Sequence, residues 1–274
     1  MRYLFFGLLW LTAFSLSAQN NTASDTKVVT GSILLNEKKA PDFRKIAAEL
    51  PQNWYVKVDS LNITEKTTLF STGGVTVMLA YLDYPINPEE IQIASGISWL
   101  WKTAAQETAA QKAQLVISVM GNSAKTVELY RLFTRVAAAS LSTVSSASGV
   151  YMNSEYLLIS KGYYLEAARN MGRDGWPLYC WMYFGLLEDK GKSSTYTYGM
   201  SEFGWPEIEI PQSSLNIQDA HALIYEVAEK ALASNGKPWT DGQQVTLGEK
   251  RKVTVRVSPA QVIREPVNTI KIEQ

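Results

Sequence analysis

Residues 67–81, TTLFSTGGVTVMLAY, decide the fold class. The segments Thr67 to Phe70 and Val75 to Tyr81 are rich in β-branched and aromatic residues and read as two strands. Thr72-Gly73-Gly74 stands between them, and glycine accepts the left-handed backbone that a tight hairpin requires. Strands joined by so short a turn are antiparallel neighbours, because a parallel pair needs a crossover of about a dozen residues.

The same pattern extends outward. Upstream, Ser32 to Leu35 and Trp54 to Val58 read as strands. Between them, Pro41 to Leu50 places Phe43, Ile46, Ala47 and Leu50 at helical spacing. Downstream, Asn87-Pro88-Glu89-Glu90 starts a helix: a cap residue, proline at the first helical position and acids in the first turn. That helical segment runs to Ala110, divided at Gly96. Leu115 to Met120 is a β-branched strand, and Gly121-Asn122-Ser123 leads into an amphipathic helix from Ala124 to Leu141. Gly149 to Tyr151 reads as a strand and Tyr163 to Arg169 as a helix. Leu178 to Leu187 and Ser194 to Tyr198 form a hairpin across Glu188 to Lys192. Glu207 to Ile210 alternates Glu and Ile. Ile217 to Ala233 is the best-patterned helix, closed by Asn235-Gly236 with Pro238 beyond. Val245 to Leu247 and Val253 to Val257 complete the series. Hairpins interrupted by helices at uneven intervals predict an α+β fold with a mixed or largely antiparallel sheet and several packed helices. With no Gly/Ser/Pro linker in the middle, residues 31–257 read as one domain, for which a duplicated ferredoxin-like half-fold is an open topology.

The N-terminus carries an address. Met1, Arg2 and Tyr3 precede an apolar run from Leu4 to Leu11 that continues to Leu16, with Ser17 and Ala18 behind it. Charge, apolar core and small residues in that order make residues 1–18 a secretory signal peptide, cut after Ala18 or after Ser17. The run is shorter than the ~20 apolar residues of a bilayer span, so no stable membrane span is expected after cleavage. The mature chain is expected in the periplasm or outside the cell. Residues 19–30 are small and polar and read as a flexible lead-in, and 258–274 as a tail.

Composition excludes some functions. The chain has 26 basic and 26 acidic residues in 274, leaving no basic surplus for nucleic acid. Cys180 is the single cysteine and lies in an apolar aromatic run, a setting for a small buried hydrophobe rather than a thiolate nucleophile. With one His and one Cys, a His/Cys zinc site cannot be assembled. No calcium loop or phosphate loop is found, and no cofactor or metal is expected.

Three residues are candidates for chemistry. Glu207 and Glu209 flank Ile208, and a period of two puts both carboxylates on one strand face. Such a pair suits acid–base work, although a solvated strand face has the same pattern. Glu202 is a further acid nearby. His221 borders the apolar face of its helix, where a satisfied structural histidine is the plainer reading. No Gly-x-Ser-x-Gly elbow supports nucleophilic catalysis. Trp176, Trp205 and Trp239 each adjoin a proline. Exposed aromatics at loops favour protein or glycan contact, and buried ones fill the core.

Three patches carry a family resemblance. They are Trp101 to Ala105 with Gln111 to Gly121, Ala147-Ser148-Gly149-Val150-Tyr151, and Gly199-Met200-Ser201-Glu202-Phe203-Gly204-Trp205-Pro206-Glu207-Ile208-Glu209-Ile210 followed by the helix and Asp241-Gly242-Gln243. Together they resemble the bacterial family called domain of unknown function 4261, over residues 31–257. Gln111 and Gln114 depart from it, since that family often has histidines there, so a metal held by such histidines would be absent here. The resemblance implies a fold and a bacterial source, and no activity. The sequence therefore predicts an exported, non-enzymatic binding or interaction protein whose partner is another protein or an envelope component. The alternative is a carboxylate-dependent hydrolase using Glu207 and Glu209.

Overall fold

The computed structural model describes residues 26–172, 175–234, 237–248 and 250–273. The expected signal peptide (1–18), residues 19–25 of the expected lead-in and the expected helix stop at Asn235-Gly236 lie outside the described residues.

The first part of the chain runs β1 (Thr26–Leu35), α1 (Phe43–Asn53), β2 (Ser60–Ile63), β3 (Thr67–Thr72), β4 (Val75–Leu82), α2 (Pro88–Ile97), α3 (Ala104–Thr108), β5 (Ala113–Asn122), α4 (Thr126–Thr143), β6 (Ala147–Met152), β7 (Leu157–Ser160) and α5 (Lys161–Met171). Its seven strands form one antiparallel sheet in the order β2-β3-β4-β5-β1-β6-β7. The second part runs β8 (Tyr183–Asp189), β9 (Lys192–Tyr198), β10 (Ile208–Ser213), α6 (Ile217–Leu232), β11 (Gln244–Leu247), β12 (Arg251–Pro259) and β13 (Asn268–Glu273). These make a six-stranded sheet, β11-β12-β13-β10-β9-β8, antiparallel except at β10–β13. The α+β class with mainly antiparallel pairing is thus borne out, on two sheets with different strand orders.

Local chemistry explains the elements. In the β3–β4 hairpin Thr72 pairs with Val75, and Gly73 (φ 54°) and Gly74 (φ 82°) take the left-handed conformation the two-residue loop demands. Asp42, Asn87, Ser160 and Asn216 cap α1, α2, α5 and α6 by accepting from backbone N–H groups of the first turns. Helix α4 buries Leu129, Tyr130, Phe133, Val136 and Ala137 against β5 and β1, while α6 buries Leu223, Ile224, Val227 and Ala231 against β8, β9 and β10. One contiguous apolar core joins the two layers. Trp181, fully buried, donates from Nε1 to Thr134 Oγ1 at 2.8 Å, and Phe203 packs on Tyr130 with ring centroids 4.6 Å apart.

Several boundaries differ from the sequence reading. Strand β1 begins at Thr26, inside the stretch taken as a lead-in, because Val29 and Ile33 point into the core and the backbone pairs with β5 from Thr26 onward. The supposed tail is structural: β12 reaches Pro259 and β13 sits between β12 and β10. Trp54 to Val58 keeps the expected alternation, with Trp54 and Val56 buried and Tyr55 exposed, yet makes no strand. Tyr55 has φ 58°, outside the extended region. Among the described residues, no helix is long and apolar enough to cross a membrane.

Candidate functional site

The sequence candidates go to separate places. Glu207 lies just before β10 and accepts from Thr197 Oγ1 at 2.7 Å and from the N–H groups of Gly199, Met200 and Ser201 at 2.9–3.2 Å. It thereby holds the short 3-10 turn Met200–Phe203. Glu209 is fully buried. It accepts from the N–H groups of Gln261, Val262 and Ile263 at 2.7–2.9 Å and from Thr269 Oγ1 at 2.9 Å, with Lys271 Nζ at 3.5 Å. Burial pushes its pKa up, and the three N–H groups and Thr269 pull it down further, so the net shift is downward. The strand face expected to be solvated is covered by the segment after β12, which is why Glu209 is buried along with Ile208 and Ile210. The two carboxylates serve donors from different segments, and the fold does not bring them together as an acid–base pair.

His221 sits in an aromatic cluster, edge-on to Trp99 at 4.9 Å, with Nε2 3.4 Å from the Tyr179 hydroxyl. Burial lowers its pKa. Cys180 is fully buried, and burial pushes its thiol up, away from thiolate chemistry. Trp205 and Trp239 are buried and stacked edge to face at 5.2 Å, so they are core residues.

A cleft of about 740 Å³ opens where the turn between β6 and β7 meets the start of α2. Tyr84, Tyr151, Tyr156 and Tyr198 line it, from the β4–α2 loop, β6, the β6–β7 turn and the end of β9. Tyr84 and Tyr156 are 55% and 40% exposed. Tyr156 stands at φ 48°, a left-handed position rare for an aromatic residue, in a turn closed by its N–H to Asn153 O at 3.2 Å. The rest of the lining is polar and carries one acid: Thr30 and Ser32 of β1, Gln114 of β5, Asn153, and Glu90 of α2. Ser32 Oγ donates to Gln114 Oε1 at 3.0 Å. Tyr151 hydroxyl lies 3.4 Å from Glu90 Oε2 and 3.3 Å from Asn153 Oδ1.

Glu155, the residue before Tyr156 in that turn, carries a buried carboxyl. It is 1% exposed, and its Oε2 has no hydrogen-bond partner among the described residues. Tyr130 hydroxyl approaches Oε1 at 3.4 Å. Burial first, and the neighbouring Glu202 second, push its pKa up to about 7. Glu202 is paired with Lys27 Nζ at 2.6 Å. A cavity of about 310 Å³ lies against Glu155, Glu202, Glu207 and Glu265, and it shares Ser154 and Tyr198 with the tyrosine cleft.

Sequence reasoning missed both features, because their residues are scattered from Thr30 to Glu265. The one local signal is Asn153-Ser154-Glu155-Tyr156, a turn sequence that ends on an aromatic residue.

The structure also explains the resembling patches. A Cβ on Gly149 would lie 2.5 Å from Ile159 O and 2.7 Å from the Trp101 ring, so the first two patches pack on each other. Gly199, at φ 119°, turns the third patch against Glu155. A family model described as Domain of unknown function (DUF4261) matches residues 196–273, which bears out the resemblance from the end of β9 through β13. No curated protein and no solved structure matches the chain.

Proposed function

We propose that this chain is an exported binding domain and not an enzyme, and that the tyrosine cleft holds its ligand, an extended glycan. The observation that carries this reading is the pair of exposed rings, Tyr84 and Tyr156, beside a polar hydrogen-bonding lining. A sugar ring presents an apolar C–H face that covers an aromatic ring, while its hydroxyls need mixed donors and acceptors. Thr30, Ser32, Gln114 and Asn153 supply those groups, and among the described residues Glu90 is the one charged side chain in the lining. A concave, aromatic site with a few convergent polar groups has the ordinary composition of a ligand site. The apolar N-terminal run supports export, and an exported domain would meet envelope glycans. The positions of Glu207 and Glu209 favour holding a ligand over hydrolysing it, since each is engaged by several donors of the fold. Co-sedimentation of the mature protein with insoluble neutral polysaccharides tests the proposal. The wild type pellets with the polymer and a Tyr84→Ala/Tyr156→Ala variant stays in solution; equal pelleting of both contradicts it.

A further inference from the structure

The cavity beside the cleft has a different chemistry from the cleft itself. Among the described residues four glutamates line it, Glu155, Glu202, Glu207 and Glu265, and no basic residue does. Two of the four are already engaged: Glu202 by Lys27 of β1 and Glu207 by Thr197 and three backbone N–H groups. Glu265 lies beside the Tyr198 hydroxyl. Glu155 remains, nearly fully buried and with Oε2 unpartnered among protein donors. A buried carboxyl oxygen without a donor costs free energy unless something supplies one.

We propose that the Glu155 cavity receives a primary ammonium group carried by the ligand of the tyrosine cleft, with Glu155 Oε2 as its acceptor and Tyr198 at the mouth. This rests on the reading of the cleft as a glycan site, and it narrows the ligand to one bearing an amine. A compact organic cation suits the cavity: it gives Oε2 the missing donor, offsets the acidic lining, and can lie against the Tyr198 ring. Facing Glu155 among the described residues are Tyr130 from α4, Tyr151 from β6, Ser154 from its own turn, Glu202 with its partner Lys27, and Gly199. None of them places a cation on Oε2 in the described structure. Glu155 ionises at about pH 7, so occupation by a cation is linked to loss of its proton.

The test uses n-butylammonium as the probe and n-butanol as its neutral control, titrated calorimetrically into the mature protein. N-butylammonium stays charged throughout, so any pH dependence belongs to the protein. Between about pH 6 and about pH 8 the ionised fraction of Glu155 rises about tenfold, and the affinity is expected to rise by the same factor. Glu155→Gln keeps the acceptor to Tyr130 and is expected to lose that pH dependence and most of the binding at the higher pH. A thermal melt of the variant confirms that it is folded. Butylammonium that does not bind, or binds the variant as it binds the wild type, overturns the proposal. A neutral N-acetylglucosamine oligomer titrated in parallel reports on the cleft alone. If the oligomer binds and the amine does not, only the cavity assignment fails; if neither binds, the reading of the cleft fails with it.

Discussion

Tyr130 and Glu155 meet at 3.4 Å, a helix hydroxyl reaching a carboxyl from the turn between β6 and β7. Tyr130 is itself buried, and burial holds its hydroxyl protonated far above the ordinary tyrosine range. Tyr130 therefore serves Glu155 as a donor throughout the physiological range, and any proton lost there comes from Glu155.

That assignment fixes the sign of a pH effect. The folded pKa of Glu155, about 7, lies above the unfolded value near 4.3. The folded state thus holds the proton more tightly, and stability falls as pH rises from the unfolded value toward the folded one. Glu155→Gln removes the penalty. It is expected to unfold at higher denaturant than the wild type at pH 8, by about 3 kcal/mol, and to show little difference at pH 4. Urea melts at the two pH values measure it, and a variant less stable than wild type at pH 8 contradicts the assignment.

Glu209 behaves in the opposite way. Its folded pKa is depressed, so its contribution is present above the unfolded value and is lost as pH falls through the folded one. Glu209→Gln leaves Lys271 buried without its counter-charge, and it is expected to cost roughly 3–5 kcal/mol at neutral pH. The loss shows in denaturant melts, and the variant is also expected to lose hydrogen-exchange protection at Gln261, Val262 and Ile263. Wild-type protection there contradicts the proposed clamp.

The C-terminal boundary gives a third expectation. A chain ending at Val257 loses β13, which pairs on both sides, and with it Ile270 and Ile272 of the core. The truncated chain is expected to show no cooperative unfolding transition for the second sheet. A calorimetric transition equal to that of the full chain contradicts this placement of β13.

Gly149→Ala is expected to destabilise by about 1–3 kcal/mol, because the new methyl meets Ile159 O and the Trp101 ring closer than contact allows. A melting midpoint equal to wild type contradicts that packing.

Much of the fold was legible locally. The β3–β4 hairpin, the cap at Asn87, and the periodic faces of α4 and α6 follow from neighbours in sequence. What was not legible depends on partners far along the chain. The alternation at Glu207 to Ile210 marks a strand, but only the return of residues 258–271 over that face decides that Glu209 is buried. Likewise, the polar composition of residues 19–30 describes a lead-in until Thr26 to Thr30 find β5. Of the cleft, sequence supplied the idea that exposed aromatics mark a contact surface, but pointed to tryptophans. Trp205 and Trp239 are in the core, and the exposed rings of the cleft are Tyr84 and Tyr156.

The central claim is that these two tyrosines hold a glycan. Calorimetric titration of the mature protein with a neutral N-acetylglucosamine oligomer, for the wild type and for Tyr84→Ala/Tyr156→Ala, tests it most directly. The account predicts saturable binding by the wild type, weakened at least tenfold in the variant at an unchanged melting temperature. Equal affinity for both proteins, or no binding of any neutral oligosaccharide by the wild type, would contradict it.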